Sequence, residues 1–312
     1  MDKGVSLPQL VQEMNLQVIH KATDFSDVRI QSWEVCRPGL RFAGFYDYYD
    51  YTRVQIIGKL ELTYIMSLPT EEAIVSVDRY FSRGVRFLII AHDMDVPALV
   101  LSSAAHHNVS LLGTTVSTSD FMARLIICLN RLLAPRTTMH GVLMEIYGEG
   151  VLITGESGVG KSETAMALLS RGHRLVADDA IDIVKTSDGK LTGSAPDMIR
   201  NFMEVRGIGL IDAGHMFGIR AVKPEQVIDL VVHFELWNDK TTYDRLGVDT
   251  QYTNILGVDV PYYVVPVRPG RSLDAILELA AMNNRERKLG YNAAEMLVKR
   301  HDLLADGGKG TE

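Results

Sequence analysis

Residues 155–162 read Gly155-Glu156-Ser157-Gly158-Val159-Gly160-Lys161-Ser162, a glycine at each end of a four-residue gap followed by lysine and serine. Glycines admit backbone conformations in which successive N–H groups turn inward toward phosphate oxygens. Lys161 at this spacing reaches the β- and γ-phosphates of a nucleotide, and the Ser162 hydroxyl is placed to ligate a bridging magnesium ion. The four specified positions arise by chance in about one chain in a hundred of this length. The context strengthens the reading: Val151-Leu152-Ile153-Thr154 precedes as a strand and Glu163-Thr164-Ala165-Met166-Ala167-Leu168-Leu169 follows as a helix, whose N-terminus adds positive potential.

Other residues suit the same chemistry. Asp178 and Asp179 end the apolar run Leu175-Val176-Ala177. Neighbours on an extended strand point to opposite sides, so one carboxylate can join a metal shell while the other accepts a proton from an attacking hydroxyl. Glu204 and Arg206, within Met203-Glu204-Val205-Arg206-Gly207-Ile208-Gly209-Leu210-Ile211-Asp212, are a candidate magnesium ligand and a candidate phosphate contact. Arginines also punctuate Asp244-Arg245-Leu246-Gly247 and Pro266-Val267-Arg268-Pro269-Gly270-Arg271, where they are suited to neutralise a transferring phosphate. His106-His107 offers two imidazoles without a second ligand pair at useful spacing, and is read as a surface pair.

The elements that must hold these residues follow from periodicity. Residues 1–130 alternate short strands (87–91, 109–113) with helical stretches (70–75, 121–133) and form an α/β domain without a phosphate loop. Residues 53–57 and 60–64 are expected to be strands on either side of Gly58-Lys59. Ala134-Pro135 marks a break, so a second domain is expected over 131–312. It opens with two strands joined through Gly148-Glu149-Gly150, a hairpin feeding directly into the phosphate loop. A sheet of simple parallel βαβ units has no such hairpin, which points to a phosphate loop set in a different sheet. Toward the end, residues 272–281 read as a helix and 284–288 as its charged face.

Composition bounds the partners. The 312 residues are 46% hydrophobic with 39 acidic against 32 basic side chains, a net charge of −7. That fits a globular protein and lends no support to nucleic-acid binding. Cys36 and Cys128 lie far apart without a C-x-x-C pattern, no run is long enough to span a membrane, and the N-terminus lacks an apolar signal core; a cytoplasmic location is expected.

Taken together, the loop at 155–162, the Val176-Ala177-Asp178-Asp179 segment, the 203–212 stretch, Asp244-Arg245-Leu246-Gly247 and the 266–271 loop resemble, in order, the motifs of the bifunctional HPr kinase/phosphorylase family. The resemblance covers essentially the whole chain. It implies ATP-dependent phosphorylation, also with pyrophosphate as donor, of a serine in the phosphocarrier protein HPr. It equally implies reversal by inorganic phosphate giving pyrophosphate, in the control of carbon catabolite repression and sugar uptake. By position, His140, Lys161, Asp179 and Arg245 look like the family's active-site residues, and Ser162 and Glu204 like its magnesium ligands. Residues 203–212 resemble the part that serves both reactions, and 266–271 the part linked to dephosphorylation. The resemblance further implies a C-terminal domain similar to phosphoenolpyruvate carboxykinase, an N-terminal domain similar to one of the Mur ligases, and a homohexamer. A small-molecule kinase and a nucleotide-gated regulatory module remain as competing readings of the same loop.

Overall fold

The computed structural model describes residues 4–241 and 250–307, with side chains to residue 300. The chain divides into two compact units, Met1–Ala134 and Pro135–Glu312.

The first unit is built on five strands in the order Gln17–His20, Ser110–Gly113, Phe87–Ile90, Val54–Ile57, Val35–Cys36, parallel except for the first. The strand Phe-Leu-Ile-Ile is apolar at every position because both of its faces are covered. Phe87 and Ile89 pack with Phe121, Leu125 and Leu129 of the helix Thr118–Leu133. Leu88 and Ile90 pack with Val77 and Tyr80 of the helix Thr70–Phe81 and with Val100 and Ala104 of the helix Ala98–His106.

One expected strand is a helix. Residues 60–64 lie within the helix Lys59–Ser67, which starts where the Glu61 carboxylate accepts the Gly58 N–H at 2.9 Å. Helical spacing buries Leu62 and Ile65, three apart, and leaves Leu60 exposed, an arrangement that strand alternation would not produce.

The second unit carries an eight-stranded mixed sheet in the order Glu225–Val227, Leu191–Ser194, Arg174–Lys185, Arg136–Ile146, Glu149–Gly155, Leu230–Leu236, Val258–Val267, Gln251–Ile255. The expected hairpin is present: Arg136–Ile146 pairs antiparallel with Glu149–Gly155. Its turn, however, is Tyr147-Gly148, both with positive φ (51° and 89°) as a tight primed turn requires, so Glu149 is already in the ladder opposite Ile146. The strand Glu149–Gly155 is antiparallel to this neighbour and parallel to Leu230–Leu236, which is in turn parallel to Val258–Val267. The phosphate loop therefore leaves the sheet where its antiparallel and parallel parts meet.

Alternation sends Val142, Met144, Val151 and Ile153 to a core closed by Ala165 and Leu168 of the helix Lys161–Ser170 and by Leu277 and Ala281 of the helix Leu273–Lys288. Leu143 and Leu152 join a second core with Val176, Ile181 and Ile183. The stretch 284–288 is not simply a charged face. Asn284 is buried and donates to Glu149 at 2.9 Å, and Lys288 pairs with Glu149 and Asp229, so the helix end is pinned to the sheet by polar contacts.

Candidate active site

The strand Glu149–Gly155 ends in the glycine loop, and Gly160 (φ 103°) caps the helix that begins at Lys161. At Gly158 a Cβ would come within 2.4 Å of the Arg206 guanidinium, which also donates to Ser157 Oγ at 3.0 Å. A side chain at 158 would push this arginine off the loop.

Lys161 is buried, and its Nζ donates to the Gly155 and Glu156 carbonyl oxygens, both at 2.9 Å. Burial lowers its pKa, outweighing the opposing pull of Asp178 and Asp179. One residue on, Ser162 Oγ donates to Asp178 Oδ1 at 3.0 Å. The other Asp178 oxygen accepts the Glu204 N–H at 3.2 Å. Asp178 is 4% exposed, and burial pushes its carboxyl above the usual carboxylate range despite these hydrogen bonds; the neighbouring Asp179 charge adds to the rise.

Asp179 differs from its neighbour in every respect. Its side chain is 66% exposed, its backbone is left-handed (φ 72°), and its carboxylate lies 3.0 Å from His140 Nδ1. The apolar run ends at these aspartates, but the strand does not: it continues to Lys185. The two carboxylates thus sit mid-strand, beside the loop.

Glu204 lies on the short strand Phe202–Val205, which forms a hairpin with Gly209–Asp212 through the turn at Arg206 and Gly207. Alternation buries Met203 and Val205 and turns Glu204 outward. A single cleft is lined by His140, Ser157, Lys161, Ser162, Asp178, Asp179, Glu204 and Arg206. Its donors fall into two sets. Ser162, Asp178 and Glu204 are oxygen donors, suited to a hard divalent cation. Lys161 and Arg206 are cations suited to phosphate. The solvent-facing carboxylate of Asp179, held against His140, stands beside both.

Residues 5–129 match the family model described as the HPr Serine kinase N terminus, and residues 131–301 match the HPr Serine kinase C-terminal domain. The chain belongs to the HPr kinase/phosphorylase family. It is 46% identical over 296 residues to an HPr kinase/phosphorylase of Caldanaerobacter subterraneus subsp. tengcongensis, spanning 95% of this chain and 97% of that protein. It is 43% identical over 304 residues to one of Caldicellulosiruptor bescii, spanning 97% and 98%. Among solved structures, the Hpr(Ser) kinase/phosphatase from Coxiella burnetii matches at 35% identity, covering 52% of this chain and 98% of that chain with a TM-score of 0.46.

In this chain His140, Lys161, Asp179, Ser162 and Glu204 converge on the cleft although they come from three strands and a helix. Arg245 lies outside the described residues. The arginines of the 266–271 loop do not line the cleft: Arg268 stacks over the Trp237 ring at 3.1 Å and reaches toward Asp239, and Arg271 donates to the Pro266 carbonyl at 2.8 Å. Sequence reading missed Gly141, where a Cβ would stand 2.5 Å from the Ile153 carbonyl oxygen. A lone glycine inside an apolar strand is the signal that marks such a close approach.

Proposed function

We propose that this chain transfers the γ-phosphate of ATP to a serine of HPr and removes it again with inorganic phosphate. The carrying observation is the division of labour between adjacent carboxylates: Asp178 is buried on the Ser162 hydroxyl, and Asp179 stands exposed beside His140 at the same cleft.

In the kinase direction Asp179 takes the proton from the acceptor serine as its oxygen attacks the γ-phosphorus and ADP departs. The Lys161 ammonium leaves its loop carbonyls to meet the β- and γ-phosphates, and Arg206 adds positive charge above the loop. His140 orients the Asp179 carboxylate toward the acceptor. Ser162, Asp178 and Glu204 would hold magnesium, which when bound neutralises phosphate charge. Positioning and electrostatics carry most of the rate in such transfers.

In reverse, an oxygen of inorganic phosphate attacks the phosphoserine phosphorus, the bond to the serine oxygen breaks, and pyrophosphate forms. Protonated Asp179 returns its proton to that serine oxygen. By the same chemistry pyrophosphate serves as an alternative donor. Arg245, an active-site position by resemblance, and Arg268 and Arg271, linked to phosphorolysis by resemblance, belong to this reading. So do a homohexameric assembly, a cytoplasmic location and a role in carbon catabolite repression.

The test is to incubate the purified protein with Mg²⁺, ATP and HPr, then add excess inorganic phosphate, following phosphoserine and pyrophosphate together. Phosphoserine that appears and is then lost with stoichiometric pyrophosphate is the expected result. Unmodified HPr alongside intact ATP binding would transfer the loop to another acceptor and overturn the reading.

A further inference from the structure

The helix Thr70–Phe81 and the end of the helix Ala98–His106 bring together three metal-ligating side chains in the N-terminal unit. Asp78, His106 and His107 each offer one ligand atom, and the three atoms lie within 4.8 Å of one another. We propose that Asp78, His106 and His107 form a binding site for a transition-metal cation of the zinc class.

Consecutive residues on a helix project about 100° apart and do not ordinarily converge. Here the helix stops between them. His106 is its last residue, and His107 is the cap, with φ −91° and ψ 7° and its N–H bonded to Ser103 O at 3.0 Å. The two imidazoles consequently stand edge to face with centroids 4.9 Å apart. Asp78, from a neighbouring helix and 29 residues earlier in sequence, brings an oxygen to 2.6 Å from His107 Nε2. His107 is half-buried and held by this contact, whereas His106 is exposed and able to swing onto an ion.

Two imidazole nitrogens and one carboxylate oxygen are a donor set for Zn²⁺, Co²⁺ or Ni²⁺; Mg²⁺ and Ca²⁺ prefer oxygen alone. Three protein ligands leave coordination positions for water or for a group brought by a partner. The site is chemically distinct from the oxygen-lined cleft of the C-terminal unit, so the two select different ions.

The decisive experiment is a calorimetric titration of the full-length, chelator-treated protein with Zn²⁺ in excess Mg²⁺, which occupies oxygen-only sites. A parallel Co²⁺ titration reads the visible absorption that nitrogen ligation produces. One saturable Zn²⁺ per chain is expected. Loss of a group that merely hydrogen-bonds to a metal's ligand weakens metal binding about 10–100-fold, so His106→Gln, His107→Gln and Asp78→Asn, which remove ligands themselves, should each cost about tenfold or more. Absence of saturable binding would reduce the cluster to an ion pair and overturn the proposal, as would wild-type affinity in the variants. Because His106 is exposed, His106→Gln decides the question even if His107→Gln folds poorly.

Discussion

Asp179 and His140 meet at 3.0 Å although they are one register position out of line: Asp179 pairs with Gly141, and His140 with Ala180. On a regular ladder, residues one position apart face opposite sides of the sheet. The left-handed backbone at Asp179 breaks that alternation, and Gly141 opposite it contributes no side chain to block the carboxylate. The pairing of these two residues is thus made by one unusual backbone conformation.

Asparagine tolerates the left-handed region nearly as well as aspartate. Asp179→Asn therefore keeps the backbone and removes only the proton acceptor. We expect HPr phosphorylation to fall by about 10²-fold or more, while ATP affinity stays close to wild type. Steady-state kinetics and a nucleotide-binding titration check the two halves separately; loss of binding with normal turnover at saturation would remove Asp179 from the role of base.

Gly141→Ala forces a methyl into the 2.5 Å space before the Ile153 carbonyl. Because the obstacle is backbone of the strand that leads into the loop, relief requires the two strands to part. A destabilisation of about 1–3 kcal/mol is expected, seen as a lower denaturant midpoint with an unchanged slope.

Asp178 gives a pH prediction with a definite sign. Its folded-state pKa is raised, chiefly by burial, so the folded state favours the protonated carboxyl. Its contribution to stability is full below the unfolded carboxyl pKa and is lost as pH rises through the raised folded value. Asp178→Asn retains a hydrogen-bond acceptor without the charge. In the absence of nucleotide and divalent cation, the variant should unfold at a higher temperature than wild type at neutral pH. Thermal scans at decreasing pH should show the gap closing as the carboxylate range is entered; a gap that widens toward acid would contradict the assignment.

Arg268 is held over Trp237, and the resemblance of its loop to the part linked to dephosphorylation makes it expected to act on phosphorolysis more than on the kinase reaction. Arg268→Ala should lower kcat/KM for inorganic phosphate by about tenfold, less than the roughly 10²–10³-fold of losing a donor at the reacting centre because Arg268 does not line the cleft, with a smaller effect on ATP-dependent phosphorylation. Equal losses in both directions would count against a separate role for this loop.

The phosphate loop was legible in the sequence because its chemistry is local. Glycine placement, the apolar run before it and the helical pattern after it act within a few residues, and the strand, loop and helix appear where those patterns put them. The same holds for the hairpin before the loop, whose turn was misplaced by only a residue or two because Tyr147 gave no sign that it would adopt a positive φ. Residues 60–64 were misread because a five-residue apolar-polar alternation fits strand and helix alike, and the Glu61 cap that decided it depends on Gly58 beginning a helix.

The adjacency of Asp178 and Asp179 announced two carboxylates for two roles, but not by facing opposite ways: the left-handed backbone at Asp179 breaks the alternation, and both side chains line one cleft. Which was buried, and that the strand would run on past them, followed from pairing with Arg136–Ile146 and from the hairpin that places the Glu204 N–H on Asp178. His140 is 39 residues from Asp179, and Asp78 is 28 from His106. No local propensity links such pairs, because their distances are set by sheet register and helix packing, and these answer to the burial of whole apolar faces. The sequence by itself determined the residue types and the local turns that make phosphate chemistry possible. The tertiary structure alone decided which of those residues share a cleft.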